Sequence, residues 1–157
     1  MKITYSKFNP IKVLSYVHWF NDINVIFGLS PYTPHDFLSI LKWSILVWLN
    51  KNKRYLFINC NGQTIGHVGL TLDKDVKTEG EISLVIGETK YWNRGIGRMA
   101  VLEMIDLAKE IKLKEIVARI YNKNLISMNL FNSLGFRSIG AKTTWEDKCF
   151  LHYIYKV

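Results

Sequence analysis

The sequence predicts one α/β domain over residues 1–157, built on a mixed sheet. Three observations carry this. Helical spacing of apolar residues fills the first third of the chain. A strand meander follows, and then strand, helix, strand, helix and strand alternate to the end. A glycine turn, Asn93-Arg94-Gly95-Ile96-Gly97-Arg98, joins an apolar run to a long amphipathic segment. The length suits a single core.

In chain order, Lys2 to Tyr5 reads as a short strand. Val13, Leu14, Val17 and Phe20 recur at helical spacing, so Ile11 to Val25 is expected to be helical. Gly28 to Pro34 is a loop, marked by Gly, Ser and two prolines. His35 to Asn50 reads as a second helix, with Trp43 and Trp48 expected to pack it onto the sheet. Tyr55 to Ile58 and Gly66 to Leu70 read as a hairpin around Asn59 to Gly62. Asp73 to Gly80 is a charged loop before a strand over Glu81 to Gly87. The helix after the glycine turn runs to Ile111 and carries Ile96, Ala100, Met104 and Leu107 on one face. Glu115 to Ile120 is a further strand. Asn124 to Leu134 is a helix stopped by Gly135. Phe136 to Ala141 and Cys149 to Tyr155 close the sheet as a hairpin around a 142–148 loop.

Composition narrows the partners. Hydrophobic residues make up 48%, too many for disorder. The net charge of +8 fits either an anionic ligand or partner or a solvated basic surface. The lysines are scattered rather than clustered on a helix, so no nucleic-acid partner is expected. No apolar run is long enough to span a bilayer and no signal-peptide pattern opens the chain. The expected location is therefore the cytoplasm, away from membranes. Cys60 and Cys149 form no CxxC pair, and the four histidines lack ligand spacing. Both cysteines are expected to be reduced packing residues, with no metal site.

The glycine turn is the most informative stretch. A turn between strand and helix leaves N–H groups free at a helix N-terminus, where they can hold phosphate oxygens. Glycines let the backbone approach the ligand. Gly95-Ile96-Gly97-Arg98-Met99-Ala100 formally fits the dinucleotide fingerprint GxGxxA. The context is wrong: an acidic residue should end the next strand, whereas Glu115 begins it and Arg119-Ile120 end it. No GKS or GKT sequence supports a P-loop.

Tyr91-Trp92-Asn93-Arg94-Gly95-Ile96-Gly97 instead resembles the acetyl-CoA motif of the GCN5-related N-acetyltransferase superfamily. It is similar to the variant found in the ribosomal-protein N-terminal acetyltransferase branch, with Trp92 where the general motif has Gln or Arg. Asn124-x-x-Ser127 followed by Gly135-Phe136 resembles that branch's motif after the fifth strand. Trp19-Phe20-Asn21-Asp22 with Val25 resembles its N-terminal motif.

This resemblance implies an acetyl-CoA-dependent N-acetyltransferase, acting as a monomer or homodimer, whose mixed, mostly antiparallel central sheet is flanked by helices and has splayed fourth and fifth strands. The strand edge Leu84, Val85, Ile86 and Gly87 would pair with the pantetheine arm. N–H groups from Asn93 to Arg98 would cradle the pyrophosphate, with charge from Arg94 or Arg98. Asn124, Ser127 and Phe131 would line the same groove. Phe131 stands where many relatives carry a tyrosine acid, and Arg119 where some carry a glutamate base. The remaining candidates for proton transfer are Ser127 and Glu81. For Ser127 a backbone-bonding role in the first helical turn is the alternative, and for Glu81 a solvated strand end. His67 either faces the groove or is a structural, half-buried histidine. Trp19, Asn21, Asp22, Tyr32 and Trp145 would line the acceptor site. Asp22 either holds an ammonium or caps a helix. The implied acceptor is a primary amine: a protein or peptide N-terminus, or else an amino sugar, polyamine or aminoglycoside. A non-catalytic acyl-CoA-binding module is the further alternative.

Overall fold

A computed structural model of the chain describes residues 1–29, 36–76, 78–145 and 147–157. Twelve principal elements follow one another among them: β1 (Ile3–Lys7), α1 (Val13–Trp19), α2 (Ile23–Ile26), α3 (Phe37–Leu49), β2 (Lys53–Cys60), β3 (Gln63–Leu72), β4 (Glu79–Ile86), α4 (Ile96–Glu110), β5 (Glu115–Tyr121), α5 (Leu125–Ser133), β6 (Arg137–Trp145) and β7 (Lys148–Lys156). The seven strands form one sheet in the order β1-β2-β3-β4-β5-β7-β6. Every pairing is antiparallel except β4 with β5. This is the mixed α/β sheet that the element order predicts.

Side chains alternate between the two faces of the sheet and build two cores. On one face Ile58, Val68, Leu70, Ile82, Ile116 and Ile120 pack beneath α4 and Phe131 of α5. On the other, Phe57 and Val85 pack with Phe8, Tyr16, Trp19, Ile40 and Val47. The second core is largely aromatic, with Phe8 stacked on Phe57 at 4.9 Å and Tyr16 edge-on to Trp43 at 5.2 Å.

Four expectations need correction. The helix over Ile11 to Val25 is broken. It consists of a 3₁₀ turn (Pro10–Lys12), α1 and α2, because Asp22 takes an extended conformation and its carboxylate accepts the Asn24 N–H, capping α2. Periodicity cannot show a cap inside a continuing apolar pattern. Trp43 does join the aromatic core, but Trp48 is 57% exposed and anchors nothing. The charged loop ends early, since β4 begins at Glu79. Asp73 tightens the loop by accepting the Asp75 and Val76 N–H groups, both at 2.8 Å. Finally, the 142–148 segment is mostly strand rather than loop: Lys142 pairs with Leu151 and Trp145 with Lys148. Its Thr-Thr-Trp run favours a pleated surface, and Thr143 Oγ1 lies 2.7 Å from His152 Nε2 across the ladder.

The parallel β4–β5 ladder fixes where a ligand can enter. It comprises only Glu79↔Glu115, Gly80↔Ile116 and Glu81↔Val117. Beyond Glu81 the two strands part, although both continue for several residues. The fold thus leaves a gap in the middle of its own sheet. Among the described residues no helix is long and apolar enough to cross a membrane.

Candidate active site

The gap opens into a cleft of about 880 Å³. Its walls are β4 from Glu81 to Ile86, the 91–98 turn, β5 from Ala118 to Ile120, and the first turns of α5. The Gly87 N–H donates to Ile65 O on β3, and Ile86 O accepts from Trp92 Nε1 at 2.8 Å on the opposite side. Peptide groups alternate along a strand, so the N–H and C=O of Leu84 face the gap without a strand partner. Such an edge can pair with a chain of amides.

The turn beneath is a second polar surface. Asn93 (φ 56) and Gly95 (φ 76) are both left-handed, and Gly95 is the N-cap of α4 with no side-chain cap. The first backbone bond of the helix start is Met99 N–H to Gly95 O. Among the described residues the N–H groups of 93–98 therefore have no acceptor, at the positive end of a 15-residue helix. Gly97 faces Leu84 and Leu130: a Cβ there would lie 3.5 and 3.2 Å from their methyl carbons. The two arginines of the turn diverge. Arg98 lines the cleft and donates to Ser133 Oγ at 3.2 Å, whereas Arg94 lies over the Tyr91 ring at 5.9 Å.

On α5, Asn124 is the N-cap and its Oδ1 accepts the Ser127 N–H at 3.1 Å. Its amide lies against Gly28, where any Cβ would meet Nδ2 at 2.1 Å. Ser127 lines the cleft, and its hydroxyl has no partner among the described residues. Phe131 is buried, edge-on to Phe136 at 4.9 Å, so no phenol reaches the cleft at this position.

Where the strands part, Glu81 meets Arg119. Nε of Arg119 donates to one carboxylate oxygen at 2.7 Å and Nη2 donates to the other. The guanidinium lies over the Trp145 ring, 5.1 Å from its centroid. Lys53 and Thr71 stand in register with Glu81 across the sheet. Burial holds the Lys53 ammonium below its usual range, with Glu81 pulling the other way. Tyr55 lies across Gly69, and its hydroxyl is 3.3 Å from Thr71 Oγ1. Burial raises its pKa.

Several residues expected at the site lie elsewhere. Gly87 is not part of the strand edge that faces the cleft, since its N–H is used by β3 and its Cα touches the Trp19 indole. Trp19 itself is fully buried and donates from Nε1 to Glu88 at 3.0 Å, so it cannot line an acceptor groove. Asn21 donates to Val17 O, and Asp22 caps α2; neither lines the cleft. Asn24 and Val25 of α2 line it instead. Tyr32 lies outside the described residues. His67 does not reach the groove. It is buried against Tyr16, Trp43 and Tyr55, and burial lowers its pKa to about 3.

Arg119 and the Trp92 indole are the groups that motif reading missed. The sequence showed Arg119 only as an absent carboxylate. Its signal becomes legible once Glu81 and Val117 are known to share a register position.

The chain belongs to the acetyltransferase (GNAT) domain family, whose profile matches residues 7–137. An uncharacterized protein of Methanocaldococcus jannaschii is 32% identical over 112 residues, covering 67% of this chain but only 23% of that protein's length. An N-acetyltransferase 9-like protein of Caenorhabditis elegans is 26% identical over 163 residues, covering 91% of this chain and 79% of its own length. Among solved structures, a domain from M. jannaschii superposes with a TM-score of 0.82 at 23% identity, covering 99% of both chains. A putative acetyltransferase of Salmonella typhimurium, crystallised with acetyl-CoA, gives a TM-score of 0.77 at 18% identity, covering 99% of this chain and 94% of that one.

Proposed function

We propose that the chain binds acetyl-CoA in the β4–β5 cleft and catalyses acetyl transfer to a primary amine, with a protein or peptide N-terminus as the first-choice acceptor. The observation that carries this is the pairing of two unsatisfied backbone surfaces in one cleft. The Leu84 edge suits the amides of a pantetheine arm, and the 93–98 N–H groups suit a pyrophosphate. Leu84, Val85 and Ile86 supply the edge. Asn93, Gly95, Ile96, Gly97 and Arg98 supply the phosphate cradle, and Asn124, Ser127 and Phe131 form the opposite wall. Membership of the family and the acetyl-CoA bound to the Salmonella neighbour support the same ligand. When bound, acetyl-CoA supplies an activated acetyl thioester.

The protein's own groups then divide the proton work. Ser127 has a hydroxyl free to donate into the cleft, which suits it to the departing thiolate. Glu81 lies where the strands part, the position for an amine or an ordered water to share its proton with a carboxylate. Arg119 fixes the orientation of that carboxylate.

A non-catalytic acyl-CoA-binding module is the second reading, favoured by Phe131 and by the commitment of Glu81 to Arg119. The test is calorimetry with acetyl-CoA and with NAD, followed by thiol release over a panel of peptides and small amines. Acetyl-CoA binding with amine-dependent thiol release is expected. Ser127→Ala and Glu81→Gln should each lower kcat about tenfold or more, the lower side of acid–base contributions. NAD binding in place of acetyl-CoA would refute the cofactor. Acetyl-CoA binding with no thiol release for any amine would favour the second reading.

A further inference from the structure

The acceptor side of the cleft is poor in available negative charge. Among the described lining residues Glu81 is the one carboxylate, and both of its oxygens accept from Arg119. Arg98, Arg119 and Lys123 line the same cleft. A polycationic amine would find little there to balance its charge.

Arg119 is arranged as a receptor. Two of its three nitrogens, Nε and Nη2, are held by Glu81, and Trp145 covers one face of the guanidinium plane. Nη1 makes no hydrogen bond among the described residues, yet the side chain lines the cleft. Two other polar side chains, His152 and Lys148, are already engaged. His152, opposite Arg119 in the β5–β7 ladder, bonds Thr143. Lys148 Nζ donates to the carbonyls of Ile26, Phe27 and Leu29. A fixed guanidinium with a spare donor edge binds an anionic oxygen with defined direction. The Glu81–Arg119 pair is neutral as a whole, so its unoccupied donor edge decides which sign is welcome.

We infer that Arg119 determines acceptor specificity: it binds a carboxylate carried within about one residue of the reacting amine. This rests on the proposed acetyl transfer and names its substrate class. The chemistry belongs both to a peptide N-terminus followed by an acidic residue and to a free α-amino acid. In either case the carboxylate on Nη1 would hold the amine beside Glu81, where β4 and β5 separate.

The test is a binding titration of the full chain, with and without saturating CoA, against matched pairs. One pair is a peptide with Asp at its second position and the same peptide with Asn. The other is alanine and its amide, which separates the free amino acid from the peptide. Spermidine is the polycationic control. The carboxylate member of at least one pair should bind about tenfold tighter or better, the scale of a charge-assisted hydrogen bond. Arg119→Gln should erase that difference and leave CoA affinity within about twofold, since Arg119 belongs to β5 and not to the 93–98 cradle. Arg119→Lys keeps the charge without the planar fork and should retain only part of the preference. Equal affinities within both pairs, tighter binding of spermidine, or a preference that survives in Arg119→Gln would overturn the inference. The wild-type pairs decide it even if Arg119→Gln fails to fold. The readout is binding, so a failure of acetyl transfer would appear separately, as absent thiol release.

Discussion

Gly95→Ala isolates the conformational demand of the phosphate-binding turn from its packing. Gly95 has φ +76, and a Cβ built there meets nothing within 4 Å. The substitution therefore adds no clash. What it adds is the left-handed penalty of an L-residue, roughly 1–2 kcal/mol. In a domain of this size 1 kcal/mol moves Tm by about 2–4 °C, so the expected drop is about 2–8 °C. With the turn's shape retained, acetyl-CoA at a hundredfold excess over Kd should still stabilise the variant by about 2.7 kcal/mol. Gly97→Val is the contrast. Its Cβ alone would sit 3.2 Å from Leu130 Cδ2 and 3.5 Å from Leu84 Cδ2, so the branched methyls must fill the cleft or displace those leucines. Thermal unfolding of both variants with and without acetyl-CoA distinguishes the two effects. An unchanged Tm in Gly95→Ala would show that the left-handed turn is not held. A full ligand-induced shift in Gly97→Val would place the ligand elsewhere.

Two further predictions concern the core behind the site. His67, with a pKa near 3 when folded and a usual value of 6.5, stays neutral while the unfolded chain protonates. Above 6.5 it makes no difference to stability; as pH falls from 6.5 toward 3 it favours unfolding by about 1.4 kcal/mol per unit. Urea unfolding at pH 7 and pH 5 should show wild type losing about 2 kcal/mol more than His67→Phe, and identical losses would contradict the buried neutral imidazole. Gly87→Ala would place a Cβ 2.1 Å from the Trp19 ring, breaking the indole's fit and its bond to Glu88. The cost should be about 1–3 kcal/mol and should shrink in a Trp19→Phe background, which a double-mutant cycle measures.

What was legible in the sequence was local. The strand, glycine turn and helix around Gly95 announce themselves through period and turn chemistry, the mixed sheet follows from the order of elements, and the family came from the resemblance of three motifs along the chain. The splay of β4 and β5 came from the resemblance, and the ladder ending at Glu81↔Val117 agrees with it. Long-range features were not legible. An indole reads the same in a motif whether it lines a groove or fills a core. Trp19 is buried because Gly87, far along the chain, leaves room for it. For Asp22 the sequence left two roles open, an ammonium partner or a helix cap, and the structure shows the cap, because a carboxylate next to a helix start finds a backbone N–H first. Arg119 looked like a missing base because its meaning depends on which strand lies beside it.

The same register changes how the missing catalytic groups should be understood. Phe131 removes a hydroxyl from one wall, and Arg119 occupies both oxygens of the carboxylate on the other. Neither change makes proton transfer easier if the amine arrives charged. Both are tolerable if it arrives neutral, with Glu81 left only to share the proton released as the amide forms. An anionic neighbour would favour the ammonium again, and Arg119 prevents this by taking the acceptor's carboxylate onto its own guanidinium. Under the proposed acceptor preference one residue of β5, Arg119, would both orient the Glu81 carboxylate and hold the acceptor's own.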